Sequence, residues 1–145
     1  GAVPEIDPDR NLIAYRALTS AMRQGLVASA HDCSDGGLAV TLSECCFGSD
    51  SGASVDIAPL WSDCSNLDEW GALFGESLGR ILVSVKPKDR KGFESHMSAV
   101  SCHYLGKVSE GNEILVNRNG NTVLSASMSI LRDSWKTTLH GGGRR

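Results

Sequence analysis

Ala30-His31-Asp32-Cys33-Ser34-Asp35-Gly36-Gly37-Leu38 stands where a short apolar stretch, Leu26 to Ala30, gives way to a helical pattern, Leu38 to Phe47, closed by Gly48. A strand that hands over to a helix through a glycine-bearing turn is a building block of α/β proteins. At such a turn backbone N–H groups point outward at the positive end of the helix dipole, so an anion, most naturally a phosphate, fits there. Two glycines let a ligand approach the backbone, and Ser34 adds a hydroxyl. Asp32 and Asp35 oppose that reading, because carboxylates repel phosphate unless Mg²⁺ or a substrate N–H or O–H lies between them. The same residue types also serve a plain turn in which Ser34 or Asp35 caps the helix. Spacing alone leaves both readings open.

Outward from this stretch, Asp7-Pro8-Asp9 reads as a helix start, and the pattern from Pro8 to Gln24 predicts a helix closed by Gly25. Ser54 to Ile57 alternates like a strand, and Asp63 to Phe74 reads as loop with one short helix. Arg80 to Lys86 holds Ile81, Leu82, Val83 and Val85, the strongest strand pattern, stopped by Pro87. A helix is predicted from Lys88 to Val100 with Phe93, Met97 and Val100 inward. Strands follow at His103 to Val108, Glu113 to Asn117 and Thr122 to Ala126, with turns at Glu110-Gly111-Asn112 and Asn119-Gly120-Asn121. A last helix is expected from Met128 to Leu139. The fold class is α/β, one domain over residues 1–140, with Gly141 to Arg145 as a flexible tail.

The segment before the strongest strand, Leu73-Phe74-Gly75-Glu76-Ser77-Leu78-Gly79-Arg80, is a second polar, glycine-bearing loop. Glu76, Ser77 and Arg80 could together take a hydroxyl and a phosphate, Arg80 through its fixed fork of donors. A turn with a surface Arg–Glu pair is the bland alternative. His96 and His103 have no visible metal partner in the sequence. Trp61, Trp70 and Trp135 are scattered, as core or interface anchors would be. No GxSxG elbow supports a hydrolase triad.

Composition bounds the rest. The 145 residues suit about one domain. Lys+Arg 14 against Asp+Glu 17 gives a net charge of -3, which removes the positive field that nucleic acid or an anionic membrane would need. No apolar run approaches the roughly 20 residues of a membrane-spanning helix. Five cysteines, Cys33, Cys45, Cys46, Cys64 and Cys102, are odd in number and form no CxxC pair, so they read as reduced cytosolic thiols. Sixteen glycines in 145 residues exceed the roughly 7% average, and the excess resolves in part into the two loops and the tail. The first residue is Gly1, and Gly1 to Pro4 lacks a signal peptide's features, so the sequence reads as a piece of a longer chain or as a chain whose start was replaced, and the reduced thiols suggest a cytoplasmic setting.

Taken together, AHDCSDGGL (Ala30 to Leu38), LSECCFG (Leu42 to Gly48), LFGESLGRILVSV (Leu73 to Val85) and the following Lys-Pro-Lys-Asp resemble the phosphoribosylformylglycinamidine synthase family. More narrowly, the chain is similar to the last C-terminal-type domain of that family's large synthetase subunit, within the aminoimidazole ribonucleotide synthetase superfamily. The likeness runs from about Pro4 to Leu139 and includes Leu105 to Val108 and the Trp135 helix. It implies a mixed sheet with helices packed on its faces. It also implies an ATP-dependent C–N ligase of purine biosynthesis, which converts formylglycinamide ribonucleotide and glutamine-derived ammonia to the amidine with ATP and Mg²⁺. ATP-binding residues and a catalytic histidine lie largely in preceding domains of the family, so no catalytic residue is assigned here and the fragment alone is expected to be inactive. The implied partners are upstream domains of the same chain, a glutaminase subunit or domain, and the ribonucleotide.

The candidate ligand- or phosphate-binding residues, expected to border a phosphate or nucleotide site, are His31, Asp32, Ser34, Asp35, Gly36, Gly37, Gly75, Glu76, Ser77 and Arg80. Those of the second loop are carried over by pseudo-symmetry from the family's first half. Leu78 departs from the family, which often has Gln there. Two other readings remain beside this one: another superfamily member of the aminoimidazole ribonucleotide or selenophosphate synthetase type, and a non-catalytic docking module.

Overall fold

The computed structural model describes residues 6–49, 51–62 and 68–139. Gly1 to Pro4, Cys64 and the Gly141 to Arg145 tail lie outside the described residues. The chain divides into two compact units, residues 1–41 with 73–103 and residues 42–72 with 104–145.

In the first unit, α1 (Pro8–Arg23) starts as the sequence predicts. Pro8 occupies the first turn, and the Asp7 carboxylate accepts the Arg10 N–H at 3.0 Å, which satisfies one of the amides a helix start leaves over. Leu18 and Ala21 on its inner face meet Phe93 and Met97, and Leu26, Val27, Ile81, Val83, Val85 and Val100 pack around them. Two strands, β1 (Ser29–Asp32) and β3 (Ile81–Ser84), pair antiparallel with Ser29 opposite Ser84 and Asp32 opposite Ile81. The first strand thus lies three residues later than the apolar run predicts, because Leu26 and Val27 go to the helix core rather than to the ladder.

The helix predicted over Lys88 to Val100 is shorter. A 3₁₀ turn at Pro87–Asp89 leads into α4 (Arg90–His96), and the Met97 N–H closes it on the Phe93 carbonyl. Gly92, Ser95 and Ser98 are weak helix formers, so the inward side chains reach the core from one helical segment and a turn.

The second unit is built on a four-stranded mixed sheet of order β4-β2-β5-β6, with β2 at Gly52–Asp56, β4 at Gly106–Ser109, β5 at Glu113–Arg118 and β6 at Asn121–Ser127. β2 runs antiparallel to β4 and parallel to β5. Ala53 and Val55 face the same way as Ile114 and Val116, and all four are buried. β4 and β5 flank β2, so the Glu110-Gly111-Asn112 turn makes no hairpin and instead crosses the start of β2. A Cβ at Gly52 would run into the carbonyls of Gly111 and Glu113, so only glycine lets the crossing chain through. The Asn119-Gly120 turn is a true hairpin, with both residues at positive φ.

α2 (Gly37–Phe47) and α3 (Glu69–Phe74) are the other helices between strands, with a 3₁₀ segment at Ala58–Ser62 that the sequence reading missed. α5 (Met128–Leu139) follows β6. Arg132 on α5 donates to the carbonyls of Cys46 and Ser49 where α2 ends, and Trp135 meets Phe47 with ring centroids 5.8 Å apart. The Arg118 guanidinium lies 3.8 Å over the Trp61 ring and binds the Glu69 carboxylate at 2.6 Å, which holds that carboxyl below its ordinary range. Cys33, Cys45, Cys46 and Cys102 are free thiols. Among the described residues no helix is long and apolar enough to cross a membrane.

Phe93 sits at the centre of the first unit's cluster at 6% exposure. Phe93→Ala is expected to cost about 3–5 kcal/mol by transfer loss and cavity formation, read as a lower denaturant midpoint at unchanged slope.

Candidate functional site

β1 and β3 bring the two glycine-bearing loops together. In an antiparallel pair the end of one strand lies beside the start of the other, so His31-Asp32 at the end of β1 meets the loop that leads into Ile81. The ladder continues one step further, with the Cys33 N–H on the Arg80 carbonyl at 2.9 Å. Beyond it the chain turns through Gly36 and Gly37, at φ +78 and +63, and α2 begins. The Gly36 N–H donates to the Glu76 carboxylate at 2.8 Å across 40 residues of sequence. A Cβ at Gly37 would stand 2.7 Å from the Gly75 carbonyl oxygen and 2.9 Å from that of Leu73. Arg80 completes the joint by donating from its guanidinium to the Gly75 carbonyl at 2.9 Å.

A groove of about 560 Å³ opens over this joint, lined by Asp32, Cys33, Ser34, Asp35, Glu76, Leu78, Gly79, Arg80 and Ile81, with Tyr15 of α1 on one side. That volume lies within the roughly 300–1,000 Å³ of small-molecule sites. Of the sequence candidates, Asp32, Ser34, Asp35, Glu76 and Arg80 line it. Gly36, Gly37 and Gly75 form the backbone joint instead. His31 and Ser77 are not among the lining residues; the His31 Nδ1 meets the Asp32 carbonyl at 2.8 Å, and Thr41 donates to the same carbonyl at 3.1 Å.

Ser34 is not simply a cap, since its hydroxyl donates to the Asp32 carboxylate. Tyr15, Cys33, Leu78, Gly79 and Ile81 were not picked out as site residues. The sequence marked Leu78 only as a departure from the family's Gln, with nothing to say that its side chain, 66% exposed, would border the groove.

The Ser34 hydroxyl, then a backbone hydrogen bond, and finally His31 hold the Asp32 carboxyl below the ordinary carboxylate range. Burial pushes the Cys33 thiol up, with Arg80 opposing, so Cys33 packs as a neutral thiol rather than a nucleophile. The Asp32 and Asp35 carboxylates, with Glu76 committed to the Gly36 N–H, suit a ligand that offers N–H, O–H or positive charge. They do not fit a bare triphosphate, and among the described residues no three His, Cys, Asp or Glu side chains form a group that could hold a metal ion.

The family model described as AIR synthase related protein, C-terminal domain, matches residues 2–117. The chain belongs to this family. It is 32% identical over 148 residues to the phosphoribosylformylglycinamidine synthase subunit PurL of Prochlorococcus marinus (strain NATL1A), covering 97% of this chain and 18% of that protein. It is likewise 32% identical over 143 residues to PurL of Synechocystis sp., covering 96% and 18%. The chain therefore spans about a fifth of the length of these relatives.

Among solved structures, Thermotoga maritima PurL complexed with FGAR superposes with a TM-score of 0.80 at 20% identity, over 89% of this chain and 22% of that one. The PurLQS structure from the same organism gives a TM-score of 0.80 at 20% identity over 90% and 23%. The PurL complex with ATP gives 0.75 at 21% over 82% and 21%. These likenesses establish the α/β fold, a mixed sheet with helices, as that of the AIR synthase-related C-terminal domain.

The folded-state value of Asp32 is depressed, so its contribution to stability is present above the ordinary carboxylate range and is lost as pH falls through the depressed value. A carboxyl titration by NMR is expected to place Asp32 below 3.8, and Ser34→Ala to move it back toward that value.

Proposed function

We propose that this chain is the closing C-terminal domain of a PurL-type synthetase, the ATP-dependent ligase that converts formylglycinamide ribonucleotide and glutamine-derived ammonia to the amidine in purine biosynthesis. The observation that carries the proposal is the joint itself: the two segments that resemble the family's motifs meet at the Glu76–Gly36 contact and border one groove. The identity to PurL proteins over almost the whole chain supports the same reading.

Within that reading the groove's side chains bind and orient. Asp32 and Asp35 offer acceptors for hydroxyl or amine hydrogens, Tyr15 and Leu78 give an apolar wall, and Arg80 supplies the single positive charge. In the complete enzyme, bound ATP would supply the activation of the amide oxygen and Mg²⁺ would neutralise its phosphates. The carboxylates of this groove repel a bare triphosphate, and the family resemblance assigns the ATP-binding residues largely to preceding domains, so on this reading the domain alone is inactive. A glutaminase subunit or domain supplies the ammonia, and the likeness to the PurLQS structure favours a multi-component assembly. The cytoplasm is the compartment that free thiols and purine synthesis suit.

A docking module without ligand contact is the second reading. It is favoured by the fact that Glu76 and Arg80 both spend hydrogen bonds on Gly36 and Gly75 rather than holding all of them open. Ammonia-dependent ATP hydrolysis by the complete chain with formylglycinamide ribonucleotide tests the first reading. Turnover that requires all three reactants is expected, and a folded but inactive complete chain would sink the assignment. Asp32→Asn with Asp35→Asn is expected to lower kcat/KM by at least roughly tenfold if the groove meets ligand. A docking module would lose less than about twofold on the same scale.

A further inference from the structure

We infer that Glu76 is a positioning residue, which sets the Gly36-Gly37 turn and through it Asp32 to Asp35, rather than a ligand contact. The inference rests on the reading of the groove as a working part of the synthetase. An acidic side chain in a ligand-bordering loop is ordinarily taken as a ligand group, and the sequence alone gave Glu76 that part. Three contacts argue for the other role.

The Gly36 N–H lies just ahead of α2, and the Glu76 carboxylate takes it at 2.8 Å. Amides around a helix start lack partners within the helix, and hydrogen bonds to a charged acceptor are the stronger kind. Gly37 packs with no space for a Cβ against the Gly75 and Leu73 carbonyls, so the backbone next to Glu76 already touches the turn. On the other side Arg80 grips the Gly75 carbonyl at 2.9 Å. Glu76 is therefore pinned between two fixed neighbours with its acceptor aimed at one amide. Asp32, Ser34 and Asp35 lie within four residues of that amide, on the segment whose turn the Glu76 contact fixes.

What this role needs is an acceptor oxygen, not a negative charge. Glutamine supplies the same oxygen without the charge, and alanine supplies neither, so Glu76→Gln and Glu76→Ala separate positioning from ligand contact. The measurements are KM and kcat of the complete chain for formylglycinamide ribonucleotide, with amide hydrogen exchange of the segment Asp32 to Leu38. Glu76→Gln is expected to keep KM within about threefold and exchange as in the parent. Glu76→Ala is expected to raise KM on the order of tenfold at a kcat within about threefold, with faster exchange of that segment. Gly37→Ala, which keeps Glu76 but forces the loops apart, is expected to reproduce the fast exchange.

A Glu76→Gln chain that loses as much as Glu76→Ala while its exchange stays slow would overturn the inference, since charge would then act on the ligand directly. So would a Glu76→Ala chain whose exchange does not change. If Glu76→Ala fails to fold, Glu76→Gln decides by itself: slow exchange with KM within about threefold supports the inference, and fast exchange or a KM raised about tenfold overturns it. If the parent chain has no activity with this ribonucleotide, the synthetase reading fails, while the exchange comparison still decides the role of Glu76.

Discussion

The candidate site depends on one close approach: the backbone of Gly37 against the carbonyls of Leu73 and Gly75, with the Gly36 N–H held by the Glu76 carboxylate. Two chain segments some 40 residues apart meet there, backbone to backbone at Gly37 and through the Glu76 side chain at Gly36. A close contact of this kind tolerates no added atom, which is why a glycine stands at the first position of α2 despite its poor helix propensity. Apart from Tyr15 of α1, the residues that line the groove are attached to one of the two segments or to the strands they extend. The groove's shape follows from the joint rather than from any single lining residue.

The joint is itself a consequence of strand direction. Antiparallel pairing of β1 with β3 sets the last residues of one strand beside the first of the other, so the loops that leave and approach the pair cannot avoid each other. The sheet of the second unit obeys a similar constraint at Gly52, where a three-residue connection passes over the start of β2. In both places an unbranched backbone position solves a crossing problem. The charges are arranged with the same economy: Arg118 is shared between the Trp61 ring and the Glu69 carboxylate, and Arg132 closes the carbonyl end of α2.

Much of the fold was legible in the residues. α1 and α5 start where the pattern predicts, because a capped start such as Asp7-Pro8 or a strand-to-helix boundary such as Ser127-Met128 is a local signal. Strand limits were less legible. Leu26 and Val27 look like strand residues but serve a helix core, and Ser29 to Asp32, polar and poorly suited to a strand by composition, pair because β3 lies beside them. The missed 3₁₀ segment and the shortened α4 have the same origin: in both, packing rather than propensity decides where the turn tightens. The site was legible as two loops of the right residue types. That His31 and Ser77 stand outside the groove lining, and that Tyr15 and Leu78 stand within it, was not, since neither spacing nor type says which way a loop residue faces.

By itself the sequence determined what is local: the α/β alternation, the helix starts, the Asn119-Gly120 hairpin, the absence of a positive field and the two loops whose wording resembles one family. Only the tertiary structure decided what is non-local: that β4 and β5 flank β2 instead of forming a hairpin, and that Ser34 serves Asp32. It also decided that Glu76 reaches the Gly36 amide. The physical reason is the range of the forces. Caps, turns and hydrophobic periods act over a few residues and are written in adjacent positions. A strand's partner and a carboxylate's amide are instead chosen by parts of the chain whose meeting depends on every element between them.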